Sequence, residues 1–292
     1  MKYQFIEQYK NEFPVVVMCH VLEVSESGYY AQLKRPTSQH QREDAQIKQE
    51  IRQVFFTHQG RYGSPRIHRE LHDQGRSVSR KRVARLMQEE ELAAKRKHGR
   101  VLTTKRDCTH PVAPNLLHRE CTATVPNKKW VTDITYIPTA QGWLYLAIIL
   151  DLYSRMVVGW SMSGSCDEEL VERALDQALA RRRPDPGLLH HSDRGSQYTS
   201  QAYQVRLEQA RILVSMSRKG NCWDNAAMES FFGSLKEECL GNRIYASHDE
   251  ARLAIFTYVE VYYNRIRRHS TLGYVSPFIY EQRIKKEDVR NS

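Results

Sequence analysis

The chain has 292 residues, 40% hydrophobic and 27% charged, enough for roughly two globular domains at about 150 residues each and too rich in apolar residues for a wholly disordered protein. Basic side chains outnumber acidic ones 44 to 34, a net charge of +10 that favours polyanionic partners; residues 1–120 hold 22 basic and 14 acidic groups, residues 121–292 hold 22 and 20. The longest apolar run, Trp143 to Leu150, falls well short of the about twenty residues a spanning helix needs, and Met1 to Glu7 lacks a secretory core, so a cytoplasmic protein without a membrane partner is expected.

In chain order, Phe13 to Leu22 follows Pro14 as an apolar stretch, and Ser25 stands where it can cap a second short helix, which predicts a helical hairpin over residues 1–40. Between Glu43 and Phe56, Ile47, Ile51, Val54 and Phe55 recur at the spacing of one helix face. Ser64-Pro65 opens a further helix with Ile67 and Leu71, Gly75 ends it, and Ser79 caps a third with Val83, Leu86 and Met87. Residues 41–97 therefore read as a basic helix-turn-helix domain. Its last helix begins Ser79-Arg80-Lys81-Arg82 with Arg85 one turn on, a basic N-terminus suited to a DNA groove; a solvated basic face is the plainer alternative. Residues 98–125, basic and then punctuated by Pro111 and Pro114, read as a linker.

From Lys129 the period changes to two. Trp130 to Ile137 alternates, Thr139 to Gly142 supplies a turn, Trp143 to Asp151 is nearly all apolar, and Arg155 to Ser161 is a third run, which together predict an antiparallel meander. A helix with Leu170, Val171, Ala174, Leu175, Ala178 and Leu179 follows, then a strand Leu188 to His191, a helix from about Thr199 to Ala210, a strand Ile212 to Met216, and a helix from about Asp224. A meander followed by alternating helix and strand predicts an α/β core over residues 126–240: a mixed, helix-covered sheet of ribonuclease-H-like type behind the all-α helix-turn-helix region. Residues 241–292 read as a C-terminal helical basic segment, with Leu253, Ile255, Phe256, Val259 and Tyr262 facing the core and Arg265, Arg267, Arg268 and His269 after them. The six cysteines (Cys19, Cys108, Cys121, Cys166, Cys222, Cys239) include no C-x-x-C pair and are read as free thiols.

Three carboxylates carry the candidate chemistry. Asp133 interrupts a strand between Val131 and Thr135, Asp193 follows the strand Leu188 to His191, and Glu229 lies in an amphipathic helix that also presents Asn225 and Lys236. Each alone is weak evidence; acids converging from two strands and one helix are what a two-metal phosphodiester site requires, because two hard cations must be held while positions stay open for phosphate and water. His190 and His191 compete as ligands and are read as strand-end packing groups, and Asp224 as a helix cap.

The 35 residues between Asp193 and Glu229, together with the words Trp130 to Tyr136, His191 to Tyr198, Asn225 to Phe232, Arg61 to Ile67 and Tyr263 to Gly273, resemble the IS-three family of insertion-sequence transposases, specifically the OrfB reading frame. The D,D(35)E pattern is shared with retroviral integrases, but His68-x3-His72 has no following C-x-x-C and cannot form their zinc module. The resemblance implies a DNA transposase that cuts element ends and transfers the freed 3′-hydroxyl to target DNA, with Mg²⁺ or Mn²⁺, two ions per site, on Asp133, Asp193 and Glu229. It implies double-stranded DNA as partner, in the form of terminal inverted repeats and target, homo-oligomerisation on DNA, and a first-frame (OrfA) protein or fusion; the chain itself shows no sustained zipper heptads. Lys236 matches the family's basic residue beside the active site. Further DNA contacts are expected at Asn225, Arg194 and Lys219 near the acids, at Arg80, Lys81, Arg82 and Arg85 in the helical domain, and at Arg267 and Arg268. A non-catalytic DNA-binding regulator and a plain Mg²⁺ nuclease are the competing readings.

Overall fold

The computed structural model describes residues 2–34, 38–95, 113–118, 120–218 and 225–283. Two compact units divide the chain: Met1–Gly60 with Glu70–Ala93, and Arg61–Arg69 with Ala94–Ser292.

The first unit is helical. Helices α1 (Lys2–Tyr9), α2 (Val15–Val21) and α3 (Glu26–Lys34) close around Ile6, Met18, Cys19 and Tyr29, and the Tyr29 hydroxyl donates to Glu7 at 2.6 Å. The expected hairpin is thus three helices, because α1 buries only Ile6 and shows no apolar stripe to read. Ser25 does cap α3, accepting from the Gly28 amide. Helix α4 (Gln39–Thr57) starts at a reciprocal Ser38/Gln41 capping box and buries the predicted Ile47, Ile51, Val54 and Phe55. Helix α5 (Ser64–Asp73) ends before Gly75, whose φ of +85° only glycine adopts without strain, and Ser79 caps α6 (Arg80–Glu89), which buries Val83, Leu86 and Met87.

The second unit is built on a five-stranded sheet in the order β3-β2-β1-β4-β5. Strands β1 (Lys129–Thr139), β2 (Gly142–Asp151) and β3 (Val157–Ser163) form the predicted antiparallel meander, and β4 (Leu189–Ser192) and β5 (Leu213–Met216) add in parallel. The run over β2 is apolar on both faces because the strand is buried. Helix α7 (Glu168–Arg182), capped by Asp167, lays Leu170, Val171, Ala174, Leu175 and Ala178 against Trp130, Ala147, Ile149 and Val158. The single helix expected over 199–210 is a short turn α8 (Ser196–Thr199) and α9 (Gln201–Gln209), separated by Ser200, which caps α9.

Helix α10 (Ala226–Leu235) runs into a π-helical segment, Lys236–Leu240; α11 (His248–Phe256) does the same at Thr257–Tyr263. The inward residues of α11 and its π segment are Ala251, Ile255, Tyr258, Val259, Tyr262 and Tyr263, while Leu253 and Phe256, expected to face the core, are 68% and 47% exposed. Asn264 then inserts its amide against the edge strand β3, accepting from the Val157 N–H at 2.9 Å and donating to the Val157 carbonyl at 3.0 Å. Arg182, on α7, grips Glu281 at 2.8 and 2.9 Å and lies 3.7 Å from the buried Asp151. Burial pushes the Asp151 carboxyl upward against the Asn127 and Tyr153 amides, which favour its charge. Among the described residues no helix is long and apolar enough to cross a membrane.

Gly159 lets α7 approach the sheet: a Cβ there would stand 2.2 Å from the Ala174 carbonyl oxygen and 2.7 Å from the Ala178 Cβ. Because the obstacle is backbone, Gly159→Ala is expected to destabilise the unit by about 1–3 kcal/mol, read from urea unfolding midpoints.

Candidate active site

The site starts from a strand register. The parallel ladder between β1 and β4 pairs Lys129 with Leu189, Trp130 with His190 and Val131 with His191. Asp133 lies two residues past Val131 and Asp193 two past His191, so both acids leave neighbouring parallel chains at the same level, at the carboxyl end of β4. Each has one oxygen fixed by a backbone amide: Asp133 Oδ1 accepts from Ile134 and Asp193 Oδ1 from Gly195, both at 2.8 Å.

Helix α10 brings the third acid. Asn225 at its start is buried and donates to the Thr132 carbonyl at 3.3 Å, which docks the helix beside Asp133; Glu229, one turn on, is partly buried. The Thr132 hydroxyl donates to the Ile148 carbonyl and meets the buried Tyr198 hydroxyl at 3.2 Å, so the floor of the site is tied to β2 and α8. Burial, and then the charge of Asp193, push the Asp133 carboxyl up to about 7; Glu229 adds to this, and the Ile134 amide and Lys236 oppose it. Tyr198 is pushed far upward by burial and by Asp133 and Asp193. The three acids therefore form one electrostatic unit with Lys236 as its cation. Lys236 is exposed, with its ammonium 5.9 Å from the Tyr136 ring centroid.

A donor set made only of carboxylate oxygens is the chemistry that hard divalent cations take, and Asp133, raised by burial and by its acidic neighbours, gains from a cation beside it. Among the described residues no three His, Cys, Asp or Glu side chains close into a single ligand cluster. The fit is one of charge and donor type, with the acids on three separate elements.

The other predicted residues fall out differently. His190 hydrogen-bonds the Tyr203 hydroxyl at 2.8 Å and is held down to about 3 by burial and by His191; His191 sits between the Ser215 and Ser217 hydroxyls, so both are the packing groups that the sequence suggests. Arg194 donates to the Ser217 carbonyl at 2.8 Å. Lys219 and Asp224 lie outside the described residues. In the helical unit Arg80 and Lys81 are exposed, whereas Arg82 and Arg85 are both paired with Asp44, at 2.7 and 2.8 Å.

Two of the residues expected to contact DNA are buried: Arg267 is 4% exposed and bonded to Glu238, and Asn225 has its amide nitrogen on the Thr132 carbonyl of β1. Arg268 donates to the Tyr274 carbonyl at 2.7 Å. His269 meets the Thr271 hydroxyl and is held down to about 3 by burial and by Arg267, which makes it a structural group. Sequence reading missed Tyr198 and Glu238: a tyrosine in a helix and a glutamate in a charged run carry no local signal of burial.

Family models described as "Integrase core domain" match residues 123–222 and 210–277, and one described as "HTH-like domain" matches residues 41–100. The chain is 45% identical to the insertion element IS600 uncharacterized 31 kDa protein of Shigella sonnei, over 91% of this chain and 98% of that one. It is 42% identical to the transposase InsF for insertion sequence IS3A of Escherichia coli, over 97% and 99%. Among solved structures, the HTLV-2 integrase catalytic core domain in complex with magnesium (trimeric form) aligns at 18% identity and a TM-score of 0.42, covering 54% of this chain and 98% of that one.

The raised Asp133 fixes a sign. With its folded pKa near 7 and an unfolded carboxylate near about 4, the metal-free fold takes up a proton in that interval. This group's stabilisation is complete below about pH 4 and lost as pH rises through about 7. Asp133→Asn is therefore expected to raise the unfolding midpoint in chelator, with a gap over wild type that widens from pH 5 to pH 8 in paired urea melts.

Proposed function

The chain belongs to the IS3 family of transposases, with an integrase-type core, and from that premise we propose that it cuts insertion-element ends and joins the freed 3′-hydroxyl to target DNA at Asp133, Asp193 and Glu229. The observation that carries this reading is the convergence of three carboxylates from adjacent parallel strands and the helix docked on them, with the charges of Asp193 and Glu229 both acting on Asp133.

Asp133 and Asp193, each with one oxygen held by a backbone amide, and Glu229 would hold two divalent cations, Mg²⁺ or Mn²⁺. Bound there, such ions lower the pKa of the attacking hydroxyl and stabilise the departing oxygen. The protein's own part is positioning. The Ile134 and Gly195 amides fix the faces of the two aspartates, and Asn225 sets the height of Glu229 against β1. Lys236 is the exposed ammonium on Glu229's face, placed to neutralise a backbone phosphate as it enters. Arg194 and Lys219 flank the same strand ends in sequence, and Arg268 lies in the C-terminal segment; they are secondary candidates for phosphate contact. The helical unit supplies a second DNA surface at Arg80 and Lys81, with Arg82 and Arg85 paired with Asp44. A protein that joins two element ends to one target acts as a homo-oligomer on double-stranded DNA in the cytoplasm, with a first-frame protein as partner.

The test is a strand-transfer assay on labelled duplex bearing the element's terminal repeats, with Mg²⁺, Mn²⁺ or chelator. Joined product is expected from wild type with either metal and not with chelator. Alanine at Asp133, Asp193 or Glu229 is expected to lower it by at least about 10³-fold with DNA retention intact. Metal-dependent joining by any of the three variants overturns the triad. DNA retention without product in every lane, and still none when the first-frame protein is supplied, favours a regulator; cutting without joining favours a nuclease. In filter binding, Arg80→Ala/Lys81→Ala is expected to reduce the slope of log affinity against log salt by about 2, roughly one unit for each phosphate that a removed cation had neutralised.

A further inference from the structure

Behind the catalytic helix lies a buried ion pair that the proposed chemistry does not use. Glu238 is 4% exposed and Arg267 equally so. Arg267 Nε donates to Glu238 Oε2 at 2.7 Å and to Oε1 at 3.0 Å, and its terminal nitrogen donates to Oε1 at 2.7 Å. The same nitrogen donates to the Ser234 hydroxyl at 3.0 Å. The Tyr258 hydroxyl donates to Glu238 Oε2 at 3.0 Å, and Arg66 stands 3.4 Å from Oε1. Burial works against charge on the Arg267 guanidinium, but the hydrogen bonds and charge of Glu238 outweigh it and hold the group strongly protonated.

The placement of this pair follows from helix geometry. At 3.6 residues per turn, Lys236 lies about 20° from Glu229 around the axis, on the face that meets Asp133, whereas Ser234 lies about 140° away. Glu238 falls in the π segment that begins at Lys236, one turn beyond Ser234 and on the buried side, while Lys236 is exposed. A single guanidinium thus spans two successive turns on the back of the helix whose front carries Glu229 and Lys236. Tyr263 reinforces it, with Arg267 5.5 Å from its ring centroid and Phe231 of α10 packed edge-on against it at 4.8 Å.

We infer that Arg267 is a positioning residue: by clamping Ser234 and Glu238 it fixes the rotation of α10 about its axis, and so the presentation of Glu229 and Lys236 to the aspartates. This inference rests on the proposed role of Glu229. A planar fork held at several points resists twist, which a point charge or an apolar contact in the same volume does not. The pair also lies where the α-helix gives way to π, an irregularity that occurs mostly at functional sites.

The test uses the full chain and reads Mn²⁺ affinity by electron paramagnetic resonance in the absence of DNA and, separately, DNA affinity by filter binding, with thermal melts as the control for folding. The variants are Arg267→Lys, the double exchange Arg267→Met/Glu238→Leu, Glu229→Gln, and each clamp variant combined with Glu229→Gln. The double exchange removes both charges, because leaving either one buried alone endangers the fold. Arg267→Lys keeps the charge and carries the test should the double exchange fail to fold. Expected are about a threefold loss of Mn²⁺ affinity for Arg267→Lys and at least about tenfold for the double exchange, melts close to wild type, no further loss in the Glu229→Gln background, and DNA affinity unchanged at matched salt. A folded clamp variant with wild-type Mn²⁺ affinity, alongside a weakened Glu229→Gln, overturns the clamp and leaves the site reading standing. Loss of DNA affinity with Mn²⁺ affinity unchanged overturns it in favour of a direct phosphate contact. Glu229→Gln binding Mn²⁺ as wild type does overturns the site reading, and the clamp with it.

Discussion

The short parallel ladder between β1 and β4 is the constraint on which the site and the core of the second unit both depend. Antiparallel neighbours can be joined by a turn, but a parallel pair needs a crossover, and here that crossover contains β2, β3 and the whole of α7. Its register sets Asp133 level with Asp193, and a slip of one residue would send one of the two acids to the opposite face. The same pairing buries Trp130, Val131, His190 and His191. Core packing and the placement of charge are therefore decided by a single alignment of two strands.

The acids in that register repel one another, so the surrounding structure must hold them against their preference. It does so with polar bonds aimed at backbone: the Ile134 and Gly195 amides on the aspartates, and Asn225 on the Thr132 carbonyl. Behind these, buried charges are spent on tying the C-terminal residues down, through Arg267 with Glu238 and Arg182 with Glu281. Buried pairs of this kind contribute little net stability over apolar packing, yet removing one member is severe, which favours a single arrangement over a merely compact one. Side chains that look in sequence like a basic, solvent-facing tail are partly internal joints. In the helical unit Asp44 has a comparable effect, pairing with Arg82 and with the still exposed Arg85, beside the exposed Arg80 and Lys81 of α6.

Much of this was legible from residue order alone. The period-two alternation from Trp130 and the unbroken apolar run over β2 report directly on how each strand is covered, and Asp133 stands out because a charge in such a strand needs a purpose. The helical stripe of α4 and the caps at Ser25 and Ser79 are local, and local signals survive in sequence. Three features were not legible, for related reasons. Helix α1 buries one residue and leaves no periodic trace. The inward stripe Ala251, Ile255, Tyr258, Val259, Tyr262 and Tyr263 mixes one alanine with tyrosines, and the large apolar side chains Leu253 and Phe256, which lie off that stripe, mask it in sequence although they face outward. Glu238 sits among Lys236, Glu237 and Cys239 like any solvated helix glutamate, and its burial is explained by distant partners, Tyr258 and above all Arg267, 29 residues later. Where burial is created by a distant partner, sequence periodicity carries no record of it.

The way β3 is finished has a bearing on how the protein is made. This strand is one of the sheet's two edges, and the hydrogen-bonding groups of an edge invite pairing with another chain. Here Asn264 takes both groups of Val157, as a neighbouring strand would, and the Trp160 amide donates to the Gln177 side chain at 2.8 Å. Gln177 follows β3 closely in the chain, but Asn264 comes more than a hundred residues after Val157. During synthesis from the N-terminus the edge is complete long before its cover exists. A ribosome that stops short of Asn264 releases a sheet with a sticky side, so the last part of the chain serves the catalytic unit as its guard against self-association as well as its support.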